Sequence, residues 1–309
     1  MRFQNDVKFG AWKKWIKMEK VLLAGATGYL GGHILKELIR RGINTTIIVR
    51  NANRISTELR DHQKINIIEA EVTRPETISN SCREIDTVIS TVGITKQKDG
   101  LKYMDVDYQA NLNLLHEAVK CGARKFIYVS VLNGEELKHL SICAAKERFV
   151  QKVQGAGMQY CIIRPNGFFS DMSEFYKMAI KGRIYLFGKG TLRANPIHGR
   201  DLACECVNQI KNNSIEVKIG GPETLTQNEI AGMAFKAIGK EAKITHIPDW
   251  IRKAILKLAK TFMRKTRFGP IEFFMNVMAT EMVAPEYGEN RLEDFFKELN
   301  VKTSNDANN

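Results

Sequence analysis

The feature of this sequence that most restricts the fold is a glycine-rich turn between an apolar run and an amphipathic segment. Residues 21–24 are all apolar, which is typical of a parallel strand covered on both faces. The turn Gly25-Ala-Thr-Gly28-Tyr-Leu-Gly31 follows at once, and apolar residues then recur at spacings of three and four from Leu30 to Ile39. This order predicts a strand, a tight turn and a helix, which begin a βαβ unit.

Each glycine of the turn has a separate physical reason to be glycine. Gly25 permits the tight turn, Gly28 lets the backbone approach a pyrophosphate, and Gly31 allows the helix to pack closely on the strand. The free N–H groups and positive dipole end of the helix would then bind the phosphates of a dinucleotide. The residues expected to contact a cofactor here are Gly25, Thr27, Gly28, Tyr29, Leu30 and Gly31.

Strand-like and helix-like segments continue to alternate along the chain, which predicts the α/β class with a doubly wound parallel Rossmann sheet. A helix from about residue 107 to 120 is expected to bury Leu112, Leu115, Ala118 and Val119. After Pro165 the pattern changes to a smaller C-terminal α+β substrate cap. Strands are expected at 21–24, 45–50, 65–70, 86–91, 125–130 and 160–164, then at 184–187 and 215–219, and cap helices near 171–181, 200–211 and 227–239.

This pattern divides the 309 residues into four parts. Residues 1–18 are a basic and flexible N-terminal extension, and whether Met1 or Met18 starts the chain is left open. Residues 19–165 are the NADP(H)-binding Rossmann domain. Residues 166–300 are a substrate-binding part interwoven with that domain, and residues 301–309 are a polar tail.

The end of the second expected strand indicates which nicotinamide cofactor binds. NAD sites place Asp or Glu at this position to hold the ribose 2′-hydroxyl, whereas this chain has Arg50, with Arg54 close behind. A guanidinium pairs bidentately with phosphate oxygens, so it suits the 2′-phosphate of NADPH. The alternative is a solvated basic loop. We therefore expect NADPH (NADP+) as the cofactor.

Short motifs after the expected strands resemble the extended and atypical short-chain dehydrogenase/reductases, including the NmrA-like reductases. They are Glu71-Val72-Thr73, Ser90-Thr91-Val92-Gly93, Val106-Asp107-Tyr108 with Asn111, Tyr128-Val129-Ser130, Arg164-Pro165 and Pro196-Ile197-His198 with Asp201. The resemblance runs from about residue 19 to 300. It implies that the cofactor also contacts Glu71, Val72, Thr91, Val92, Gly93, Lys146, Pro165 and Phe168.

Motifs in the C-terminal half are similar to those of the divinyl chlorophyllide 8-vinyl reductase family. They are Ile163-Arg-Pro-Asn-Gly-Phe-Phe169, Leu186-Phe-Gly-Lys-Gly190, Ile219-Gly-Gly-Pro222, Tyr287-Gly288 and Leu292-Glu-Asp-Phe-Phe296. This resemblance implies a step of chlorophyll biosynthesis, the NADPH-dependent reduction of a vinyl group on a large, flat and hydrophobic tetrapyrrole.

The catalytic position departs from the pattern of typical short-chain reductases, which place a proton-donating Tyr four residues before a Lys. Lys146 is present, but Ile142 occupies the tyrosine position. Ketone reduction by the usual route is disfavoured, because the forming alkoxide needs a proton donor. We expect Lys146 and Ser130 to be catalytic, with Ser130 at a strand end where open sheets bind ligands. Tyr103, Tyr108 and Tyr176 remain alternatives for the acid, and His198 is expected to be structural.

Charge and cysteine content limit the partners of the chain. The net charge of +13 favours an anionic partner, such as a phosphorylated cofactor, a membrane surface or a nucleic acid. No helix-turn-helix, zinc-finger or RNP motif supports nucleic acid, and we expect none to bind. The six cysteines form no CxxC pair, so no metal site is expected. Without a secretory signal or an apolar run of 18 residues, we expect a cytoplasmic protein, or a stromal one if the source is photosynthetic.

Residues 249–265 form a basic amphipathic segment with three alternative interpretations. Its apolar residues could pack on their own domain, rest on an anionic membrane, or form a lid over a lipophilic substrate. They are Trp250, Ile251, Ala254, Ile255, Leu258, Ala259, Phe262 and Met263, with Lys253, Lys257, Lys260 and Arg264 opposite.

Three functions are compatible with these features. The first is an NADPH-dependent reductase of an activated carbon–carbon double bond on a hydrophobic substrate. The second is an NmrA-like sensor or assembly factor that binds NAD(P)H without turnover, which the absent tyrosine also fits. The third is a reductase of a small carbonyl or sugar nucleotide, which the absent tyrosine disfavours. The sequence does not indicate the oligomeric state.

Overall fold

The computed structural model describes residues 19–94 and 100–307, without the side chains of Lys265 and of residues 304–307. The predicted basic extension, residues 1–18, lies outside the described residues. No helix in the described ranges is long and apolar enough to cross a membrane.

Seven of the described strands form one parallel sheet, as predicted. The order across it is β3-β2-β1-β4-β5-β6-β9, with Val21 of β1 opposite Thr45 of β2 and Thr87 of β4. The chain therefore runs outward from β1 in one direction and from β4 in the other, which is the doubly wound arrangement. The strands are β1 Lys20–Ala24, β2 Asn44–Val49, β3 Ile65–Glu69, β4 Thr87–Ser90, β5 Lys125–Val129, β6 Gln159–Pro165, β7 Ile184–Phe187, β8 Arg193–Ala194, β9 Glu216–Ile219, β10 Leu225–Thr226 and β11 Ile244–Ile247.

Helices cover both faces of the sheet and also build the cap. Alternate residues of β1 face opposite ways, so Leu22 and Ala24 join the core on one face while Val21 and Leu23 join the core on the other. A third core packs around α5, α7 and α10 in the cap. The helices are α1 Tyr29–Arg40, α2 Thr57–Arg60, a π-helical stretch Met104–Ala110, α3 Asn111–Lys120, α4 Ser141–Gln154, α5 Phe169–Ile180, α6 Gly199–Asn208, α7 Gln227–Ala237, α8 Asp249–Phe262, α9 Lys265–Val277 and α10 Leu292–Ala307.

The structure differs from the sequence prediction in the buried face of α3. Leu115 and Ala118 are buried as expected, but Leu114 takes the third position and Val119 is 47% exposed. The helix turns Asn111 inward to bond the loop after β4, and the face built from positions 111, 114, 115 and 118 leaves Val119 at its edge. Hydrophobicity alone did not reveal that a polar side chain, Asn111, determines which face of α3 is buried.

The C-terminal segment also differs from expectation, because residues 301–307 continue α10 instead of forming a separate tail. The segment contains neither Gly nor Pro to end the helix. Polar residues are found both in solvated helix ends and in separate tails, so composition did not distinguish a continued helix from a tail.

Two buried polar side chains join separate segments of the C-terminal half to one another. The amide of Asn195 bonds Asn166 and both backbone groups of Ala284, at 2.8 to 2.9 Å. The carboxylate of Asp201 accepts two bonds from Asn290. The link to the Rossmann unit is β9, residues 216–219, which pairs with β6 at the edge of the central sheet. Several of the motifs that carry the family resemblance therefore have a structural explanation.

Candidate functional site

The glycine turn lies at the carboxyl end of β1 and leaves the start of α1 open. Gly25 has φ +92°, in the left-handed region, and its carbonyl accepts the N–H of Gly28 at 2.9 Å. A Cβ on Gly31 would lie 2.0 Å from the Gly25 oxygen, so only glycine fits this close approach. No described side chain caps α1 at Gly28. The N–H groups of its first turn are thus available to an anion.

The loop after β4 closes against this turn. A Cβ on Gly25 would lie 2.4 Å from Thr91 Oγ1, and Thr91 Oγ1 donates to the carbonyl of Ala24 at 3.2 Å. The carboxyl ends of β1 and β4 are where the two halves of the sheet diverge. Ligands of open parallel sheets bind in the crevice at this point.

Polar side chains of the following helical segment fix the loop after β4. Asn111 accepts from Ser90 at 2.5 Å and donates to the Val92 carbonyl at 3.0 Å. Asp107 Oδ2 accepts the N–H of Ile94 at 3.2 Å. Gly93 is thereby held beside Asp107 and Lys146, where a Cβ would lie 2.7 Å from Asp107 Oδ1 and 3.0 Å from Lys146 Nζ.

Lys146 projects from α4 into a buried ion pair. Its Nζ lies 3.1 Å from Asp107 Oδ1, and the exposed fractions of the two side chains are 14% and 0%. Burial by itself lowers the pKa of Lys146, but the neighbouring Tyr128 and Asp107 outweigh it and raise that pKa overall. The ammonium therefore stays charged at neutral pH and is held at one point of the crevice.

Tyr128 is the tyrosine that the structure places beside Lys146, and the sequence analysis did not identify it as a site residue. The Lys146 Nζ lies 5.5 Å from the centroid of its ring. Its hydroxyl is buried without a hydrogen-bond partner in the described part of the chain, and burial raises its pKa. The sequence feature that could have identified Tyr128 is its hydroxyl, a single polar group in the otherwise apolar interior of β5.

The three tyrosines considered as alternative acids have other surroundings. Tyr103 is buried in the core on the α3 side of the sheet. The ring of Tyr108 lies 4.7 Å from the Arg148 guanidinium carbon. Tyr176 donates to Asn300 at 3.0 Å within the cap.

Ser130 follows β5 at the same edge of the sheet but belongs to a buried network. Its hydroxyl donates to Glu147 Oε1 at 2.8 Å, and Arg164 pairs with both oxygens of Glu147 at 2.6 and 2.9 Å. The network joins β5, α4 and β6. The Ser130 proton is engaged in this structure, and a catalytic role for Ser130 stays a prediction.

The residues predicted to select the cofactor lie at the ends of β2 and β3. Arg50 and Arg54 are exposed, and neither forms an ion pair with any residue that the structure describes. Glu71 pairs with Arg74 at 3.3 Å, and the Val72 carbonyl accepts from Asn113 at 3.0 Å. Two guanidinium groups are therefore available to an anion beside the glycine turn.

Tyr29, Pro165 and Phe168 connect the turn to the cap. Pro165 ends β6 and is buried. The ring of Phe168 meets that of Tyr29 edge-on at 5.8 Å, and the Tyr29 hydroxyl accepts the N–H of Gly199 at 3.1 Å. Of the two remaining predicted turn residues, Leu30 is buried in the core and Thr27 is half-buried.

A histidine pair at the interface of α1 and α6 is expected to make the free energy of unfolding depend on pH. The ring of His33 lies 5.4 Å from that of His198, the His that caps α6. Burial, helped by His198, Lys36 and Arg200, lowers the pKa of His33 to about 4. An unfolded histidine has a pKa of about 6.5. The stability that neutral His33 contributes to the folded state is therefore fully present above that pH and is lost as the pH falls toward about 4.

We therefore expect the free energy of unfolding of the wild type to fall from pH 7 to pH 4.5 more steeply than that of His33→Gln. Urea unfolding at both pH values measures the two slopes. Equal slopes would show that His33 is not the titrating group.

A family model described as NAD(P)H-binding matches residues 25–213, from the first glycine of the turn to the loop before β9. The chain belongs to this NAD(P)H-binding family.

The chain is also similar to two relatives and one solved structure. The chain is 28% identical to the divinyl chlorophyllide a 8-vinyl-reductase, chloroplastic, of Arabidopsis thaliana, over 90% of this chain and 76% of the relative. It is 25% identical to the photosystem II assembly factor Ycf39 of Guillardia theta, over 74% of this chain and 73% of that protein. A nucleoside-diphosphate-sugar epimerase from Staphylococcus aureus shares the fold with a TM-score of 0.73 at 18% identity, covering 90% and 99% of the two chains.

Proposed function

We propose that this NAD(P)H-binding protein is an NADPH-dependent reductase of an activated carbon–carbon double bond on a hydrophobic substrate. The observation that carries the proposal is the charged Lys146–Asp107 pair beside Gly93, combined with Ile142 in the position of the usual tyrosine. By resemblance, the substrate is divinyl chlorophyllide and the reacting group its 8-vinyl group. If the source is photosynthetic, we expect the protein in the plastid stroma.

The residues at the crevice fit a dinucleotide. The glycines leave backbone space that a Cβ would fill, which suits a pyrophosphate at the start of α1. Arg50 and Arg54 would hold a 2′-phosphate, since both guanidinium groups are exposed at the adjacent strand end. Lys146 would hold the ribose next to the nicotinamide, because Gly93 brings the backbone close to its ammonium.

The chain's own residues prepare the crevice for double-bond reduction. When bound, NADPH supplies a hydride to one carbon of the double bond. Asp107 keeps Lys146 protonated and in place, so a positive charge faces the reacting region. Ile142 is buried and offers no proton, which disfavours carbonyl reduction. The proton for the second carbon would come from solvent.

A second candidate function is an NAD(P)H-binding assembly factor without turnover. The likeness to Ycf39 supports it, as does the absence of tyrosine at position 142. An assay of purified protein with NADPH and divinyl chlorophyllide separates the candidates, with the absorbance of NADPH and of the pigment followed together. Tight NADPH binding with no change in either absorbance would favour the assembly factor.

The choice of NADPH is tested by reversing the charge at Arg50. We expect Arg50→Asp to weaken NADPH binding by about 10- to 100-fold, because a charge-assisted hydrogen bond contributes roughly 1.5–3 kcal/mol. NADH binding should be maintained or improved, since a carboxylate can accept from the free 2′-hydroxyl. Fluorescence titration of both cofactors gives the dissociation constants.

A matched control for this variant is Arg83→Asp. Arg83 is also exposed, but it precedes β4 and so lies toward the amino-terminal edge of the sheet. Arg83→Asp therefore makes the same change of charge as Arg50→Asp, but at the edge of the sheet opposite the crevice. If the ratio of the dissociation constants for NADPH and NADH were the same in Arg50→Asp as in the wild type, the cofactor assignment would be contradicted.

A further inference from the structure

Helix α8 turns an apolar stripe toward solvent instead of burying it. Trp250, Leu258 and Phe262 are 68%, 61% and 82% exposed, and Ala254 between them is exposed as well. Their spacing of four residues places them in one row along the helix. This row does not pack on its own domain, whereas Ile251, Ala259 and Met263 of the predicted apolar face are half-buried.

The orientation of α8 is fixed by its opposite, polar side. Arg252 is buried, pairs with Asp249 at 2.6 Å and donates to Asn276 of α9 at 3.2 Å. Rotating the stripe inward would expose this ion pair and break the bond to α9. The outward position of the stripe is thus a consequence of a specific contact.

Helix α9 extends the apolar surface and connects it to the core near the site. Ile271 and Phe274 are 36% and 42% exposed, while Phe273 and Val277 of the same helix pack on the core that contains Tyr128 and Ile142. The surface formed by Trp250, Ala254, Leu258, Phe262, Ile271 and Phe274 is called the α8–α9 surface below. Helix α9 thus connects this surface to the core.

Positive charge borders the α8–α9 surface. Lys253, Lys257 and Lys260 are exposed along one side of the stripe. Residues 249–267 contain seven Lys and Arg and one acidic residue, Asp249, whose carboxylate pairs with Arg252 and with the exposed Lys253. Two copies of this chain facing each other here would bring like charges together. The charge instead complements a surface that is both apolar and anionic.

We propose that the α8–α9 surface docks the protein on an anionic lipid membrane. The aromatic and aliphatic side chains of the stripe enter the headgroup region, and the lysines beside them contact lipid phosphates. Amphipathic helices with this division of apolar and basic residues lie in the plane of the interface. The docking does not depend on the proposed reaction, so each can fail independently.

Co-sedimentation of the full chain with lipid vesicles tests the docking. We expect binding to phosphatidylglycerol-containing vesicles and at least tenfold weaker binding to pure phosphatidylcholine. The double variant Leu258→Glu, Phe262→Ser should reduce binding at least tenfold. Replacing Lys253, Lys257 and Lys260 by Gln should reduce it about 100-fold, since each lysine near an anionic surface contributes about fivefold.

Matched controls remove the same chemistry elsewhere. Ile215→Ser deletes an apolar side chain that is 64% exposed, and replacing Lys211, Lys218 and Lys243 by Gln removes three exposed lysines. Both controls should bind vesicles within twofold of the wild type. Equal losses in control and test variants, or full binding by Leu258→Glu, Phe262→Ser, would overturn the proposal and assign any binding to another segment.

Tryptophan fluorescence locates the contact directly. The chain has three tryptophans, so Trp12→Phe with Trp15→Phe leaves Trp250 as the sole reporter. We expect anionic vesicles containing brominated lipids to quench at least half of its emission and to shift it to shorter wavelength. Absence of quenching, or sedimentation as a dimer that Leu258→Glu dissociates, would show that another molecule covers this surface.

Discussion

Substituting Gly31 by alanine should reduce NADPH affinity at least 100-fold. The new methyl group would lie 2.0 Å from the Gly25 oxygen and 2.6 Å from the Gly25 carbonyl carbon, both backbone atoms that cannot rotate away. The turn must therefore move, and the N–H groups at the start of α1 move with it. Losing two hydrogen bonds to charged phosphates, at roughly 1.5–3 kcal/mol each, accounts for a change of this size. Fluorescence titration with NADPH measures it.

The neighbouring Gly32 provides the matched control. A Cβ at Gly32 would lie 3.7 Å from the Ala26 oxygen, an ordinary contact, and the residue is inside α1. Gly32→Ala should keep NADPH affinity and raise the free energy of unfolding by about 0.5–1 kcal/mol, since alanine is the better helix residue. If Gly31→Ala bound NADPH as well as Gly32→Ala, the phosphate site would lie elsewhere.

The second large effect is expected at Lys146. Lys146→Met should lower kcat/KM about 100-fold or more and should also lower the free energy of unfolding by about 3–5 kcal/mol. The loss of stability follows because the fully buried carboxyl group of Asp107, whose pKa burial already raises, would lose its ion-pair partner. Urea unfolding and initial rates with NADPH measure the two effects separately.

A double variant separates the catalytic contribution of Lys146 from its structural one. Adding Asp107→Asn to Lys146→Met replaces the unpaired carboxyl group by a neutral amide, so we expect most of the stability to return while activity stays low. Lys152→Met changes an exposed lysine of the same helix and should leave both quantities unchanged. Recovery of activity together with stability would mean that Lys146 has only a structural role.

The sequence predicted those parts of the fold that depend on local patterns. The apolar runs gave the strands of the central sheet, and Gly25, Gly28 and Gly31 marked the turn because their spacing is imposed by the backbone itself. Arg50 was predicted at the end of β2 and lies there, although its selection of NADPH stays a prediction.

The surroundings of Lys146 could not be predicted in the same way. Asp107 and Tyr128 meet it only because the fold brings the π-helical stretch, β5 and α4 together, and no local pattern encodes a contact across 39 residues of chain. The amphipathic pattern of α8 was visible in the sequence, but its orientation depends on the bond between Arg252 and Asn276. Long-range polar contacts therefore determine the surroundings of Lys146 and the orientation of α8, which the periodicity of the sequence does not specify.

The most direct test of the central claim is transfer of deuterium from NADPH labelled at the reactive carbon of its nicotinamide. The purified full chain is incubated with each of the two labelled epimers and with divinyl chlorophyllide, and the product is analysed by mass spectrometry. The proposed function predicts one deuterium per reduced vinyl group from one epimer, with one NADPH consumed. Unlabelled product, or unchanged substrate despite saturating NADPH binding, would contradict it.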